Sequence, residues 1–273
     1  MMIKYPDPID DISYAHITKL VYRLSGIALG NSKKTLVTSR LSNRISELEL
    51  GSFENYCRYI DAHGSEIQKL IDLISTNVTH FFREKEHFGI ITSRLLALHK
   101  RGQRKFRLWS AASSTGEEPY SLMIEILEAF HQNSLIIGDL KILATDISTN
   151  VSAVCKKGIY EKEKLQNISR KIVAKYFTAI DSNNFRVKPE LQEYISFKQV
   201  NLTNQPYPLK GPLDIIMCRN VMIYFDEATK ANIVYEFERL MSSTGLLVIG
   251  QSESISGIQS HLKVFKPSVY QKQ

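Results

Sequence analysis

Apolar positions along this chain follow two rhythms, and the change falls near residue 105. Before it, from Asp11 to about Lys100, they recur every three to four residues. That spacing predicts helices over 12–25, 33–48, 52–62, 66–75 and 83–100, with breaks at 26–30, Gly51 and Gly64. After it, short apolar runs alternate with stretches of helical spacing. Phe106, Leu108 and Trp109 read as a buried strand, Ser110 to Gly116 are all small, and Tyr120, Met123, Ile124, Leu127 and Phe130 return at helical spacing beyond Glu117. A strand, a tight turn and a helix follow one another there, which aims helix N-terminal amides at the carboxyl end of a strand.

The alternation repeats. A strand over 140–145 ends in Asp146, and a helix over 150–157 closes at Gly158. Further on come a strand over 213–218, a helix over 227–241 and a strand over 246–249, and 261–270, broken at Pro267, supplies closing antiparallel strands. Between 159 and 198 the rhythm fails. A helix over 169–177, a turn signal at Asn183-Asn184 and strands over 185–187 and 194–200 predict an inserted helix and hairpin ahead of the third core strand. Repeated strand–helix units imply an α/β fold with a doubly wound, mostly parallel sheet. A helical module precedes it and a small antiparallel β-subdomain interrupts it.

Ligands of such sheets bind at the strand carboxyl ends. Here those ends present 110–118, Asp146, Asn201-Leu202, Cys218-Arg219-Asn220 and Gln251-Ser252-Glu253. Asp146 has the place of a carboxylate that accepts both ribose hydroxyls of a nucleoside, and it equally suits a cap for the helix that follows. No G-x-G-x-x-G is present, and Glu117 and Glu118 at a helix start argue against an anionic ligand.

Composition excludes more than it selects. With 273 residues, 43% hydrophobic and 23% charged, the chain is long enough for a core domain plus a smaller module. Its polar, acidic start and the lack of a long apolar run predict a cytoplasmic protein with no direct membrane insertion. Cys57, Cys155 and Cys218 are scattered and the seven histidines lack ligand spacing, so no disulfide framework and no metal are expected. The net charge of +7 invites a nucleic-acid reading, but residues 1–80 hold nine Lys/Arg against nine Asp/Glu, and the excess lies later, notably over 94–107. Lys33, Lys34, Arg40 and Arg44 still form a local basic stripe, a solvated face or a docking surface, with Arg40 and Arg44 on one helix face.

The motifs Asn77-Val78-Thr79-His80-Phe81-Phe82-Arg83, Trp109-Ser110-Ala111 through Thr115-Gly116-Glu117-Glu118-Pro119-Tyr120-Ser121, Ala144-Thr145-Asp146-Ile147, Asn201-Leu202, Cys218-Arg219-Asn220-Val221-Met222-Ile223-Tyr224-Phe225 and Gly250-Gln251-Ser252-Glu253-Ser254 occur in this order. Together they resemble the CheR family of chemotaxis receptor methyltransferases, which transfer methyl from S-adenosylmethionine to receptor glutamates. The resemblance implies an S-adenosylmethionine-dependent methyltransferase fold. Residues 1–82 would form a helical substrate-docking domain and 83–273 the cofactor-binding domain, with the helix and β insert at about 159–198. It implies cofactor contacts from Asn77, Thr79, Arg83, Glu118, Asp146, Asn201, Leu202, Arg219 and Asn220, Glu118 being favoured over Glu117. Arg83 and Tyr224 would be the catalytic, orienting residues, with Tyr224 beside the methyl group. The product would be S-adenosylhomocysteine, without a metal. The implied partners are the cytoplasmic methylation helices of chemotaxis receptors, met by a monomer through Lys33, Lys34, Arg40 and Arg44, with no nucleic acid involved.

Two other readings compete. A nucleic-acid methyltransferase would carry an Asn/Asp-Pro-Pro-aromatic motif, or a proline before its strand-end cysteine, where this chain has Cys218-Arg219-Asn220-Val221. A non-catalytic S-adenosylmethionine-binding signalling module would keep the fold without turnover, and intact Arg83, Asp146, Asn220 and Tyr224 weigh against it. Family members that capture a receptor tail peptide resemble one another in a glycine-containing loop of the β-subdomain. The corresponding 180–184 here is short and glycine-free, so no capture is expected.

Overall fold

In the computed structural model, which describes residues 6–272, the Asp10 carboxylate accepts the amide of Ser13 at 2.8 Å and so caps helix α1 (Asp11–Ser25), which Gly26 ends at φ 70. Helices α2 (Lys34–Glu47), α3 (Phe53–Ala62) and α4 (Glu66–Ile74) follow. Their apolar faces meet in one core that includes Ile17, Val21, Val37, Leu41, Ile45, Tyr56, Ile60 and Leu70. The chain divides into two compact units. One comprises the residues up to Thr76 together with Tyr224–Thr229, and the other takes Asn77–Ile223 and the residues from Lys230 on. The parting lies at Thr76/Asn77 rather than at 82/83, because Phe81 packs edge-on against Tyr160 and Phe177 and the Phe82 amide donates to Ser121 Oγ (2.9 Å), all in the second unit.

Within the first unit the basic stripe is largely committed to the fold. Arg44 makes a two-pronged pair with Glu66, Nε to Oε1 at 2.8 Å and Nη2 to Oε2 at 2.6 Å, and Tyr56 Oη donates to the same carboxylate at 3.1 Å. Arg40 donates to the carbonyls of Ile74 and Ser75 and to Thr76 Oγ1, which satisfies groups that the end of α4 leaves open. Lys34 pairs with exposed Asp11 at 2.7 Å, and Lys33 is exposed. Of the four cations expected on a docking surface, Arg40 and Arg44 also hold α2 to α4.

The second unit starts with α5 (Glu86–Lys100), which begins later than the periodicity predicts because Phe82 (φ 57) and Glu84 (φ 50) are left-handed. Then come β1 (Lys105–Ala111), α6 (Glu117–Gln132), β2 (Asp139–Asp146), α7 (Thr149–Lys157) and β3 (Ile159–Glu161). Next are α8 (Arg170–Tyr176), β4 (Phe177–Ala179), β5 (Asn184–Val187), α9 (Pro189–Gln192) and β6 (Ile195–Gln199). The chain ends with β7 (Leu213–Cys218), α10 (Glu227–Leu240), β8 (Met241–Ile249), β9 (Leu262–Lys266) and β10 (Val269–Lys272). A seven-stranded sheet has the order β6-β2-β1-β7-β8-β10-β9, parallel from β6 to β8 and closed by antiparallel β10 and β9. Phe106, Leu108, Met123, Ile142, Ile215, Met217 and Val248 belong to its core.

The insert is a separate sheet, β3-β5-β4, all antiparallel. Residues 194–200, expected as part of the inserted hairpin, instead supply β6, an edge strand parallel to β2 with Ile142 opposite Ile195 and Asp146 opposite Gln199. A crossover long enough to return in parallel separates the two, so local spacing could not assign the partner.

Replacing Arg44 by Met leaves the Glu66 carboxylate, whose side chain is 5% exposed, without its cation. We expect Arg44→Met to cost about 2–4 kcal/mol in urea unfolding, since breaking a largely buried pair costs more than the pair is worth; a loss under about 0.5 kcal/mol, the level of a surface pair, would contradict this assignment.

Candidate active site at the strand ends

Where β7 runs out, the chain buries a cation. Arg219 is 5% exposed overall; its Nε and Nη2 donate to Glu84 Oε2 at 3.3 and 3.1 Å, and Nη2 also donates to the Arg83 carbonyl. Its guanidinium stacks over the Phe88 ring at 5.5 Å. On the other side Nη1 lies 3.3 Å from Glu118 Oε2, yet among the described residues no hydrogen-bond geometry to a partner satisfies it. Glu118 also accepts from Ser110 Oγ at 2.7 Å. Burial pushes the Glu118 carboxyl above its ordinary range, against the pull of Arg219 and Ser110. Glu84 is half-buried, which by itself raises its carboxyl, but the Asn220 hydrogen bond and Arg219 outweigh that and hold it low.

The next residue, Asn220, sits at φ 58. Its amide donates to Glu253 Oε2 at 2.8 Å and its side chain to Glu84 Oε1 at 3.1 Å. Glu253 also accepts from Gly250 N at 2.6 Å and Ile223 N at 3.3 Å, so one carboxylate ties the end of β8 to the turn after β7. Gly250 is required there: a Cβ would lie 2.7 Å from both Asn220 Nδ2 and Glu253 Oε2.

The β1 and β2 ends are joined by Asp146, which is 7% exposed. Its Oδ2 accepts the Ser114 amide at 2.9 Å and its Oδ1 the Ser148 amide at 3.0 Å, while its carbonyl accepts Val200 N at 3.0 Å. The last bond brings Asn201 and Leu202 alongside. Asn201 Oδ1 accepts from Thr203 N and Oγ1, and the Leu202 carbonyl accepts from Tyr207 Oη. Asn77 joins the group through its carbonyl, which accepts from Ser114 Oγ at 3.0 Å; half-buried Thr79 lies on the same segment.

Glu117 and Glu118 part company. Glu117 is fully buried and turns to Lys164 of the insert, whereas Glu118 faces Arg219. Arg83 donates to the Val78 carbonyl at 3.0 Å, and it is Glu84 that pairs with Arg219. Tyr224 ends a short 3-10 turn (Met222–Tyr224) and groups with the first unit, where its carbonyl accepts Ala28 N at 2.9 Å. The organising carboxylates Glu84 and Glu253 and the buried His87 carry no signal in periodicity. Glu84 and Glu253 do stand beside or within the motifs quoted above.

The CheR methyltransferase, SAM binding domain matches residues 77–271, and the CheR methyltransferase, all-alpha domain matches residues 12–75. The chain is 36% identical to the chemotaxis protein methyltransferase of Salmonella typhimurium over 267 residues, covering 96% of this chain and 90% of that protein. It is 35% identical to the protein of that name in Borreliella burgdorferi over 270 residues, covering 96% and 94%. With the Escherichia coli protein of that name the identity is 35% over 267 residues, covering 96% and 91%.

His87, 2% exposed, lies 3.4 Å from Glu84 Oε2, with Arg219 and Glu86 also acting on it. Burial, then Arg219, push its pKa below 6.5. The unfolded chain thus takes up this proton first, and stability is present above 6.5 and lost as pH falls below it, by at most about 1.4 kcal/mol per pH unit. His87→Gln should flatten the fall in melting temperature between about pH 7 and pH 5, read by calorimetry; parallel wild-type and variant curves would show that His87 does not contribute.

Proposed function

Because the chain belongs to the CheR methyltransferase family, we propose that it transfers the methyl group of S-adenosylmethionine to glutamate side chains on the cytoplasmic methylation helices of chemotaxis receptors, leaving methyl esters and S-adenosylhomocysteine. The observation that carries the reading is the buried, unsatisfied Nη1 of Arg219 beside Glu118 at the ends of β1 and β7. A buried donor without a partner is costly, and the zwitterionic end of an amino-acid-bearing cofactor suits an arginine and a carboxylate side by side. Strand order supports the rest of the assignment. Asp146, Asn201 and Leu202 lie at neighbouring strands β2 and β6 and take the nucleoside, Glu118, Arg219 and Asn220 lie where β1 and β7 end and take the amino-acid end, and Asn77, Thr79 and Arg83 add contacts from the segment before α5. Asp146 has a double duty here, since both carboxylate oxygens already accept backbone amides. Asp146→Ala would therefore loosen the loop as well as weaken ribose binding.

When bound, S-adenosylmethionine supplies a positively charged sulfonium that carries the methyl group. The acceptor carboxylate, with a pKa near ~4.3, is ionised at neutral pH and requires no general base. Joining its oxygen to the methyl carbon cancels one negative against one positive charge. Strong unpaired charges in the pocket would hold the separated ions more tightly than the transition state. Arg219, shared between Glu84 and Glu118, keeps the local charges compensated, and what remains for Arg83 and Tyr224 is alignment and exclusion of water. Cys218 is no competing nucleophile, because complete burial pushes its thiol far up.

Docking of the receptor rests on the first unit through Lys33 and Lys34, with Arg40 and Arg44 shaping the face rather than supplying free charge. We further propose that the insert does not capture a receptor tail. Asp181 accepts the amides of Asn183 and Asn184, both at 2.8 Å, and the Asn184 side-chain amide, which braces the loop a peptide would have to displace.

The test is incubation with methyl-labelled S-adenosylmethionine and a receptor cytoplasmic fragment. We expect label that is lost in mild base, and the same rate when the receptor's last residues are deleted. Tyr224→Phe should bind S-adenosylhomocysteine like the wild type and methylate about tenfold or more slowly. Base-stable label would contradict glutamate esterification, a wild-type rate in Tyr224→Phe would deny its hydroxyl a role, and a rate that collapses on tail deletion would overturn the tail prediction.

A further inference from the structure

We infer that Lys164 and Tyr160 of the insert are positioning residues for the cofactor site, holding the β1–α6 loop from behind. The inference rests on the methyltransferase reading for the identity of the ligand, but the latch itself stands on contacts in the second unit. The loop is strained: Ala112 (φ 61), Ser114 (φ 49) and Gly116 (φ 94) are all left-handed within five residues, and two of them are not glycine. Such a conformation persists only where the surroundings over-determine it. Asp146 and the Asn77 carbonyl hold the loop at Ser114.

The insert and α7 supply the rest. Tyr160 Oη donates to the Thr115 carbonyl at 2.8 Å and Cys155 Sγ to the Ser114 carbonyl at 3.0 Å. Lys164, in the short 3-10 turn Lys162–Leu165 that follows β3, pairs with Glu117, whose other oxygen accepts from Thr115 Oγ1 at 2.6 Å. Glu117 is 0% exposed, so Lys164 supplies the positive charge that lets a carboxylate sit at the buried start of α6. Tyr160 is fixed in turn, 2% exposed, with Phe81 edge-on at 4.9 Å. The packing admits only glycine at 116, where a Cβ would meet Tyr160 Oη at 2.8 Å and Cys155 Sγ at 2.9 Å. Three consecutive loop residues, Ser114 to Gly116, are thus set by groups outside the parallel sheet.

Two elements that hold one loop are linked to whatever binds it, and the linkage is reciprocal. The protein's small β-sheet then serves cofactor affinity directly, whatever else it binds. The test uses Lys164→Met, Lys164→Arg and Tyr160→Phe in the full chain. Amide exchange of residues 112–117 in the ligand-free protein is followed together with calorimetric affinity for S-adenosylhomocysteine, below the melting temperature of each variant. The expected result is exchange about tenfold faster in this loop for Lys164→Met and Tyr160→Phe, with about tenfold weaker binding and substantial recovery in Lys164→Arg. A general loss of stability would instead raise exchange throughout the second unit and leave folded-state affinity unchanged. That outcome, or unchanged loop exchange in Tyr160→Phe, the milder variant, overturns the latch. Faster loop exchange in a protein that in its unaltered form binds no S-adenosylhomocysteine would support the latch and overturn the proposed function instead.

Discussion

A guanidinium taken out of water costs several kcal/mol unless carboxylates compensate it, and the strand ends of the second unit are arranged around one such group. Arg219 needs Glu84 on one side and Glu118 on the other. Glu84 can serve only because the backbone turns through left-handed Phe82 and Glu84 before α5 begins, and Glu118 only because α6 starts immediately after Gly116. The same two-sided demand fixes Asn220, whose left-handed backbone is held by Glu253 and whose side chain returns to Glu84. Residues 77–84, the start of α6 and the ends of β7 and β8 are therefore one hydrogen-bonded assembly, and moving any one of them exposes or orphans a charge in the others.

This arrangement suits a reaction that destroys charge. A pocket with one strong unpaired cation or anion would be a good trap for a charged reactant and a poor catalyst for its neutralisation. Compensated charges, aligned by buried neighbours, give shape and orientation without that penalty. The second assembly, around Asp146, works with backbone amides instead, and shares with the first the device of a carboxylate that links two strand ends.

Much of this was legible in the sequence, and the remainder was hidden for identifiable reasons. Helical spacing placed the helices of the first unit to within a residue or two, and the alternating strands and helices gave the parallel sheet. Spacing cannot register backbone sign, so it does not show the late start of α5 after Phe82 and Glu84. Nor does it register pairing: residues 194–200 read correctly as a strand, but their partner β2 lies about 50 positions earlier. Arg40 and Arg44 were rightly placed on one helix face, while Glu66 and the carbonyls that claim them lie 22 to 35 residues away. The bonds from Glu84 to Arg219 and Asn220 bridge 135 and 136 residues. Motifs marked the strand-end residues as a set, and only the fold shows that Glu84 and Glu253 organise those around Arg219 and Asp146 those around the β1–α6 loop.

The most direct measurement is therefore made on an organiser that the ligand is not proposed to touch. Glu84→Gln keeps the size and the hydrogen bond to Asn220 but removes the charge that balances Arg219. If the account holds, titration calorimetry on the folded variant shows affinity for S-adenosylhomocysteine reduced about tenfold or more, with Arg219 now drawn wholly to Glu118. Wild-type affinity in a folded Glu84→Gln protein would show that the cofactor site does not depend on the shared guanidinium.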